Sequence, residues 1–354
     1  MDLSGYTTLR LGGPAAELVE ARTDEELLAA VAERTTSGAP LLILAGGSNV
    51  VVADAGFDGT VVHVATRGVA REGDVLHVAA GESWDALVAR TVADGLAGVE
   101  CLAGIPGSVG ATPIQNVGAY GQDVSETIVG VRVLDRATGE VQELTPADCG
   151  FAYRSSAFKR DPGRWIVLRV SFALAPGGVS QPIRYAELAR ALGVAVGDTA
   201  PLPAVRDAVL ALRRGKGMVL DPADRDTASA GSFFTNPILT AMELAALQER
   251  VAAHLGPNAP LLPAFPEPDG RTKTSAAWLI ERAGFHRGYG DPDGIAISTK
   301  HVLALTNRGA GTTAGLVALA REIADGVEAA FGVALVPEPV FVGHAWDALT
   351  QPRA

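Results

Sequence analysis

The chain has 354 residues, of which 48% are hydrophobic and 19% charged; this composition allows substantial buried cores and excludes a disordered chain. Its formal net charge of −11 argues against general nucleic-acid binding, because phosphate contacts require clustered Lys and Arg. An anionic small molecule would therefore need a local basic pocket. We see neither a signal peptide at the start nor an apolar run of about 18 residues, and we expect a cytoplasmic protein without a membrane span.

The first part of the chain alternates strands and helices. We predict a strand over Thr8–Ala21, a helix opened by a capping box of Thr23 and Glu26, and an apolar strand over Pro40–Ala45. Further strands and helices follow; in chain order they are a strand at Thr60–Val64, a strand at Val75–Ala80, a helix capped by Ser83, a hairpin over Val129–Leu144, a strand at Trp165–Ala173 and a helix over Pro201–Arg214.

A polar, glycine-containing stretch after Gly215 indicates a domain boundary. Beyond it we predict two helices, a strand, a long final helix and a closing strand through Val336 and Val340 that returns to the earlier domain. The predicted bounds are Thr240–Leu255, Ser275–Ala283, His301–Thr306 and Thr313–Phe331.

Two glycine-rich segments are candidate ligand loops. Gly46-Gly47-Ser48-Asn49 follows an apolar strand and could cradle an anion with its backbone N–H groups, although an ordinary tight turn has the same composition. Ile105–Asp123 is almost free of charge, which suits a loop that covers a flat ligand, with Gln115 and Asn116 as polar contacts. The alternative is a long packed loop with no ligand.

A third glycine-rich segment, Gly309–Ala314, matches the dinucleotide-binding pattern G-x-G-x-x-A. A Rossmann domain normally opens with this unit and continues through several strand-helix repeats, whereas only about forty residues remain here. We therefore prefer a loop with Thr312 or Thr313 as the helix cap. Cys101 and Cys149 show no metal or redox spacing, and we expect ordinary buried thiols.

Single residues carry weaker signals. Arg213, Arg214 and Lys216 could bind a phosphate or carboxylate, or simply complement a helix end. Ser232 lies between a glycine and two phenylalanines, a dry setting for proton transfer, but a turn serine is equally compatible. Glu338 is flanked by two prolines that restrict its direction.

Taken in order, six segments resemble the UDP-N-acetylenolpyruvoylglucosamine reductase family along nearly the whole chain. They are Thr8-Leu9-Arg10-Leu11-Gly12-Gly13, Ala45-Gly46-Gly47-Ser48-Asn49, Ile105–Asp123, Phe151-Ala152-Tyr153-Arg154, Ala230–Pro237 and Pro337-Glu338. The resemblance implies an α+β protein: an FAD-binding region of the vanillyl-alcohol-oxidase (PCMH) type in two subdomains, and a separate α/β substrate-binding domain. The expected bounds are 1–64 and 65–214 for the subdomains, with a return of 333–354 to the second, and 215–332 for the substrate domain.

The same resemblance implies non-covalent FAD, NADPH as co-substrate and a UDP-sugar enolpyruvyl ether as substrate; we expect a monomer. Arg154, Ser232 and Glu338 would be catalytic, with Ser232 donating a proton after hydride transfer. FAD would be bound by Gly46, Gly47, Ser48, Asn49, Ile105, Pro106, Gly107, Gly110, Ala111, Thr112 and Gly118. The substrate would be bound by Tyr120, Tyr153, Tyr185, Arg213, Lys216, Asn236 and Lys273. Of these, Lys216 and Asn236 match residues that contact substrate or NADPH phosphates.

Two details qualify the resemblance. Tyr185 matches the substrate-gating tyrosine of one subgroup, and Pro339 and Val340 replace the apolar and basic residues that commonly follow the glutamate. The main rival is an oxidase of the same superfamily, which would lack the serine segment; the covalent flavin that would favour it has no His or Cys to attach to in either candidate loop. A more distant rival is a non-catalytic nucleotide-sugar binder.

Overall fold

The computed structural model describes residues 1–256 and 259–346. The chain divides into two compact units. Unit 1 comprises residue 1, 15–47 and 57–219, and unit 2 comprises 2–14, 48–56 and the chain from 220 onward.

The helices and strands are short and numerous. The helices are α1 (Asp24–Ser37), α2 (Trp84–Ala93), α3 (Pro146–Cys149), α4 (Ala157–Arg160), α5 (Ala186–Leu192), α6 (Leu202–Gly215), α7 (Ala241–Leu255), α8 (Ala276–Arg282) and α9 (Thr313–Phe331). The strands before residue 125 are β1 (Ala15–Ala21), β2 (Leu41–Leu44), β3 (Val50–Val52), β4 (Phe57–Val64), β5 (Val69–Glu72), β6 (Val75–Ala79), β7 (Leu96–Ala97), β8 (Gly118–Ala119) and β9 (Gln122–Asp123). The later strands are β10 (Ile128–Asp135), β11 (Glu140–Leu144), β12 (Trp165–Ala173), β13 (Ala175–Pro176), β14 (Ile238–Leu239), β15 (Ala264–Pro266), β16 (Thr272–Thr274), β17 (Ile295–Ile297), β18 (Leu305–Asn307) and β19 (Val340–Val342).

Unit 1 is built on two main sheets. The first is parallel with the strand order β1-β4-β2, and the second is antiparallel with the order β11-β10-β12-β6-β5. Buried residues alternate with half-buried ones in β6, and the buried residues Leu76 and Val78 lie in the core. Trp84 of α2 is completely buried in the same core, where its indole nitrogen donates to the carbonyl of Leu102 at 3.1 Å.

Unit 2 packs three helices around small sheets. Strand order is β14-β16-β15 in one sheet, while β17 pairs with β18 and β19 runs parallel to β3. The long helix α9 places Leu316, Ala320, Ile323 and Val327 in the core at the spacing of one helix face. Among the described residues no helix is both long and apolar enough to cross a membrane.

The predicted N-terminal strand was wrong in its first half. The strand begins at Ala15, and the preceding residues belong to unit 2, where Leu9 and Leu11 are buried in the core and Thr8 donates to the carbonyl of Ser229 at 2.6 Å. Gly12, Gly13 and Pro14 interrupt the segment that the alternation had suggested was continuous.

The predicted domain bounds also differ from the two units. The boundary falls at 219/220 instead of 214/215, and residues 333–346 cluster with unit 2, because β19 pairs with β3 and not with the second flavin subdomain. Residues 347–354 of the predicted return lie outside the described part of the chain. The strand predicted over His301–Thr306 begins only at Leu305. The hairpin β10–β11 and the elements β12, α6, α7, α8 and α9 are confirmed, most within one residue.

Candidate active site

The first candidate loop makes a close backbone contact in unit 1. The N–H of Gly46 donates to the Ser108 hydroxyl at 2.8 Å, and a Cβ added to Gly46 would lie 2.6 Å from the Cα of Gly107. Glycine is therefore required where the two glycine-rich segments meet. Ser48 and Asn49 of the same tetrapeptide belong to unit 2.

The second loop, 105–123, is fixed by its own backbone. Gly110 donates to the carbonyl of Ala80 at 2.8 Å, and the buried Thr112 hydroxyl donates to Val109 at 2.8 Å. Asn116 is also buried: its amide donates to Ala152 at 3.2 Å and its side-chain oxygen accepts from Ser125 at 3.1 Å. Both ends of that amide thus hold the loop in place, and a contact between Asn116 and a ligand stays a prediction.

The Arg154 side chain donates hydrogen bonds to the backbone of this loop. Its Nη2 donates to the carbonyl of Gly118 at 2.6 Å and its Nη1 to that of Asn116 at 3.2 Å, while Asp123 lies 4.0 Å from Nη1. A Cβ on Gly118 would collide with the Asp123 carboxylate at 1.7 Å. The loop thereby brings the Arg154 guanidinium and the Asp123 carboxylate together next to the backbone of Gly118.

Backbone strain concentrates in the same place. Asn116, Tyr120 and Arg154 have φ values of 47°, 50° and 49°, and they are three of the four non-glycine residues with positive φ among the described residues. Left-handed backbone at such side chains carries a conformational penalty, and it gathers preferentially at functional sites. The surrounding hydrogen bonds are what hold these residues there.

Tyrosines and a lysine adjoin the loop in unit 1. The rings of Tyr120 and Tyr185 meet edge to face with centroids 5.5 Å apart, and Lys216 Nζ lies 5.7 Å from the Tyr120 centroid. Burial raises the pKa of Tyr120, so that it stays a neutral phenol at physiological pH. The ring of Tyr153 lies 5.3 Å from the guanidinium carbon of Arg154.

Arg213, which is predicted to bind substrate, already donates hydrogen bonds to backbone carbonyls. Its Nη2 donates to the carbonyls of Met218 at 2.8 Å and Gly104 at 3.4 Å. These contacts tie the end of α6 to the start of the second loop. A role for Arg213 in substrate binding stays a prediction.

In unit 2, Ser232 and Glu338 sit on paired backbone segments. The N–H of Glu338 donates to the carbonyl of Phe233 at 2.8 Å, and Phe234 forms a bridge with Pro337. Both Ser232 and Glu338 are half-buried. The serine and the glutamate, 106 positions apart in the sequence, are thereby brought to the same short ladder.

The chain continues from Glu338 into strand β19. Val340 opens β19, and its N–H donates to the carbonyl of Asn49 at 2.9 Å. The Asn49 amide in turn donates to the carbonyl of Glu338 at 3.3 Å. Asn49, predicted to contact the cofactor, therefore also fixes the backbone of the glutamate within unit 2.

Two further predicted substrate residues lie in unit 2. Asn236 caps α8 by accepting the N–H of Ala276 at 3.0 Å. Lys273 in β16 forms an ion pair of 2.6 Å with Glu267. Sequence alone gave no signal for this partner.

The dinucleotide pattern at Gly309–Ala314 is a helix cap. The Asp54 carboxylate accepts the N–H groups of Thr313 and Ala314, each at 2.8 Å, and the Thr312 hydroxyl accepts that of Gly315 at 3.0 Å. The N-terminal donors that a pyrophosphate would need are thus already satisfied. The predicted helix cap at Thr312 or Thr313 is confirmed, and the cap is Thr312.

Both cysteines are buried free thiols, as expected. Burial raises the pKa of Cys101 and that of Cys149 to about 12 in each case. Neither is a thiolate at neutral pH, which fits a structural role.

Comparison with known proteins assigns both halves of the chain. The model of an FAD binding domain matches residues 15–145, and that of the UDP-N-acetylenolpyruvoylglucosamine reductase C-terminal domain matches 221–342. The UDP-N-acetylenolpyruvoylglucosamine reductase of Streptomyces coelicolor is 62% identical over 97% of this chain and 89% of its own length. That of Thermobifida fusca is 60% identical, over 96% of each chain. The crystal structure of the reductase from Thermus caldophilus is 26% identical over 97% of each chain, with a TM-score of 0.65.

These matches and the paired glycine-rich loops define an FAD-dependent oxidoreductase whose flavin domain is of the PCMH type. The C-terminal unit narrows the class further. The chain belongs to the UDP-N-acetylenolpyruvoylglucosamine reductase family, which acts in the synthesis of peptidoglycan precursors.

Proposed function

We propose that this protein reduces UDP-N-acetylglucosamine enolpyruvate to UDP-N-acetylmuramate in the cytoplasm, with NADPH as the electron source and FAD as the carrier. The observation that carries the proposal is the pairing of the Ser232 and Glu338 segments within unit 2. The pairing places the Ser232 hydroxyl and the Glu338 carboxyl on fixed backbone. Protonation of a carbon next to a carboxylate requires a proton donor that is held in position in this way.

The residues of the two glycine-rich loops fit a bound FAD. Gly46 and Gly107 leave bare backbone at their contact, and the loop from 105 to 118 carries no charged side chain that would oppose a flat ring. Gly46, Gly47, Ser48 and Asn49 would hold the pyrophosphate, with the second loop along the ring. FAD supplies hydride transfer from NADPH to the methylene carbon of the enolpyruvyl group.

The roles proposed for Arg154, Glu338 and Ser232 follow from the negative charge that develops during the reaction. Hydride addition to an enol ether conjugated with a carboxylate moves negative charge toward that carboxylate. Arg154, permanently cationic and fixed by two loop carbonyls, would stabilise this charge. Glu338 in its protonated form would donate a hydrogen bond to the carboxylate, and Ser232 would donate a proton to the adjacent carbon.

The test uses the purified protein under anaerobic conditions. NADPH should bleach the yellow flavin, and the UDP-enolpyruvyl sugar should restore the colour with one equivalent of product per flavin. Restoration of colour only after oxygen is admitted would identify an oxidase instead. A flavin that stays attached after denaturation would also contradict the proposal.

A further inference from the structure

Lys216, one of the residues assigned by resemblance to phosphate contacts, has a carboxylate against it. Its Nζ lies 2.6 Å from Oε2 of Glu187, which is in the first turn of α5, two residues after Tyr185. Both side chains are about one-third exposed, at 36% and 35%. The pair and the Tyr120 ring beside it all lie in unit 1.

The electrostatics keep Lys216 cationic and ready for an anion. Burial by itself would lower the pKa of Lys216, but the hydrogen bond that Lys216 donates to Glu187 and the nearby charge outweigh burial, and the pKa is raised. The neighbouring tyrosine provides no negative charge, since the pKa of Tyr120 is itself raised by burial. Glu187 is thus the carboxylate that pairs with Lys216 at this position.

An ion pair that is about one-third exposed contributes little to folding stability, because the side chains are partly solvated and lose conformational entropy when they stay together. The ion pair does, however, bear on the binding of an anion to Lys216. A phosphate that approaches Lys216 must displace the Glu187 carboxylate or share the cation with it, and the repulsion between the two anions lowers the affinity.

We propose that Glu187 is a placeholder anion for Lys216, which the diphosphate of a bound nucleotide displaces. The inference rests on the proposed function for the kind of ligand, a nucleotide diphosphate, but not on the chemistry of reduction. Glu187 is then a positioning residue: it holds the cation in place in the free protein and weakens binding by competing for it.

The test is the affinity of Glu187→Gln for UDP and, in a second arm, for NADP⁺, measured by calorimetry in about 50 mM salt. Glutamine keeps the length and the hydrogen-bond acceptor but removes the charge, so we expect UDP or NADP⁺ to bind about 2- to 5-fold more tightly than to the wild type. The arm that gains identifies which nucleotide Lys216 serves. The gain should shrink in about 0.5 M salt, because screening weakens the competition.

Two further variants separate this effect from others. Glu126→Gln removes the same charge from an ion pair of 2.6 Å with Arg184, the residue before Tyr185, and controls for the general acidity of the chain. Glu187→Gln combined with Lys216→Met should show no gain over Lys216→Met alone. Unchanged or weaker binding in Glu187→Gln, or an equal gain in Glu126→Gln, overturns the proposal.

The outcomes also distinguish this inference from the proposed function. If the sugar restores the flavin colour and Glu187→Gln binds no more tightly, only the placeholder is wrong. If the variant binds UDP more tightly while the sugar fails to restore the colour, the placeholder stands and the reduction is wrong. Failure of the wild type to bind either nucleotide contradicts both.

Discussion

The backbone N–H of Glu338 lies 2.8 Å from the carbonyl oxygen of Phe233, the residue immediately after Ser232. Thr235 donates to Val336 at 3.0 Å on the next rung, and Asn49 donates to the carbonyl of Glu338. A displacement of one segment would therefore move the other. This coupling fixes the backbone of Ser232, the proposed proton donor, and that of Glu338 within one element of unit 2, and the first prediction depends on it.

Ser232→Ala should leave reduction of the flavin by NADPH nearly unchanged and slow its reoxidation by the sugar by at least about 100-fold, because the proton donor is lost. Stopped-flow absorbance of the two half-reactions measures both. Thr235→Val, which alters the same ladder without removing the proposed donor, should retain both rates. An equal loss in the two half-reactions would show that Ser232 is structural.

Arg154→Lys should slow reoxidation by about 10- to 100-fold, because an ammonium cannot replace a guanidinium that bonds two carbonyls and still faces a carboxylate. Flavin reduction by NADPH should change less than about twofold. Arg160→Lys is the matched control, since that exposed arginine donates to the carbonyl of Gly150 and the hydroxyl of Ser155. Similar loss in both variants would contradict the assignment.

Gly46→Ala should yield protein that loses its flavin during purification, because the added methyl group would lie 2.6 Å from the Gly107 backbone and force the loops apart. The ratio of flavin absorbance to protein absorbance reports the loss. Gly215→Ala, where an added Cβ meets nothing within 4 Å, should keep a full complement of flavin. Full flavin content in Gly46→Ala would show that the loop contact is dispensable.

Asp54→Asn should lower the free energy of unfolding by about 1 kcal/mol, because a neutral side chain caps the positive end of α9 less well than a carboxylate. Urea denaturation measures this change, with Asp325→Asn on the exposed face of the same helix as a control. The Michaelis constant for NADPH should not change. A change in that constant without a loss of stability would revive Gly309–Ala314 as a nucleotide site.

Local patterns were enough for much of the fold. The bounds of α9 and β12 follow from apolar periodicity and caps that involve neighbouring residues, and they agree with the structure. The strand predicted over Thr8–Ala21 was wrong in its first half because Leu9 and Leu11 are buried in a core that Val51 and residues from Ala230 onward form, which no local window contains. The pairing of β19 with β3 is long-range in the same way.

For the candidate site, too, some features could be predicted from local sequence and others depend on the tertiary structure. The order of the six segments along the sequence was sufficient to indicate the family, because each segment is a short local pattern that can be recognised without the fold. The tertiary structure decided which side chains are free to act: it placed Asp54 on the false dinucleotide pattern, Glu187 on Lys216 and Asn116 inside its own loop. A sequence specifies which groups are present, whereas a hydrogen bond or ion pair depends on distances of about 3 Å that only the folded chain sets.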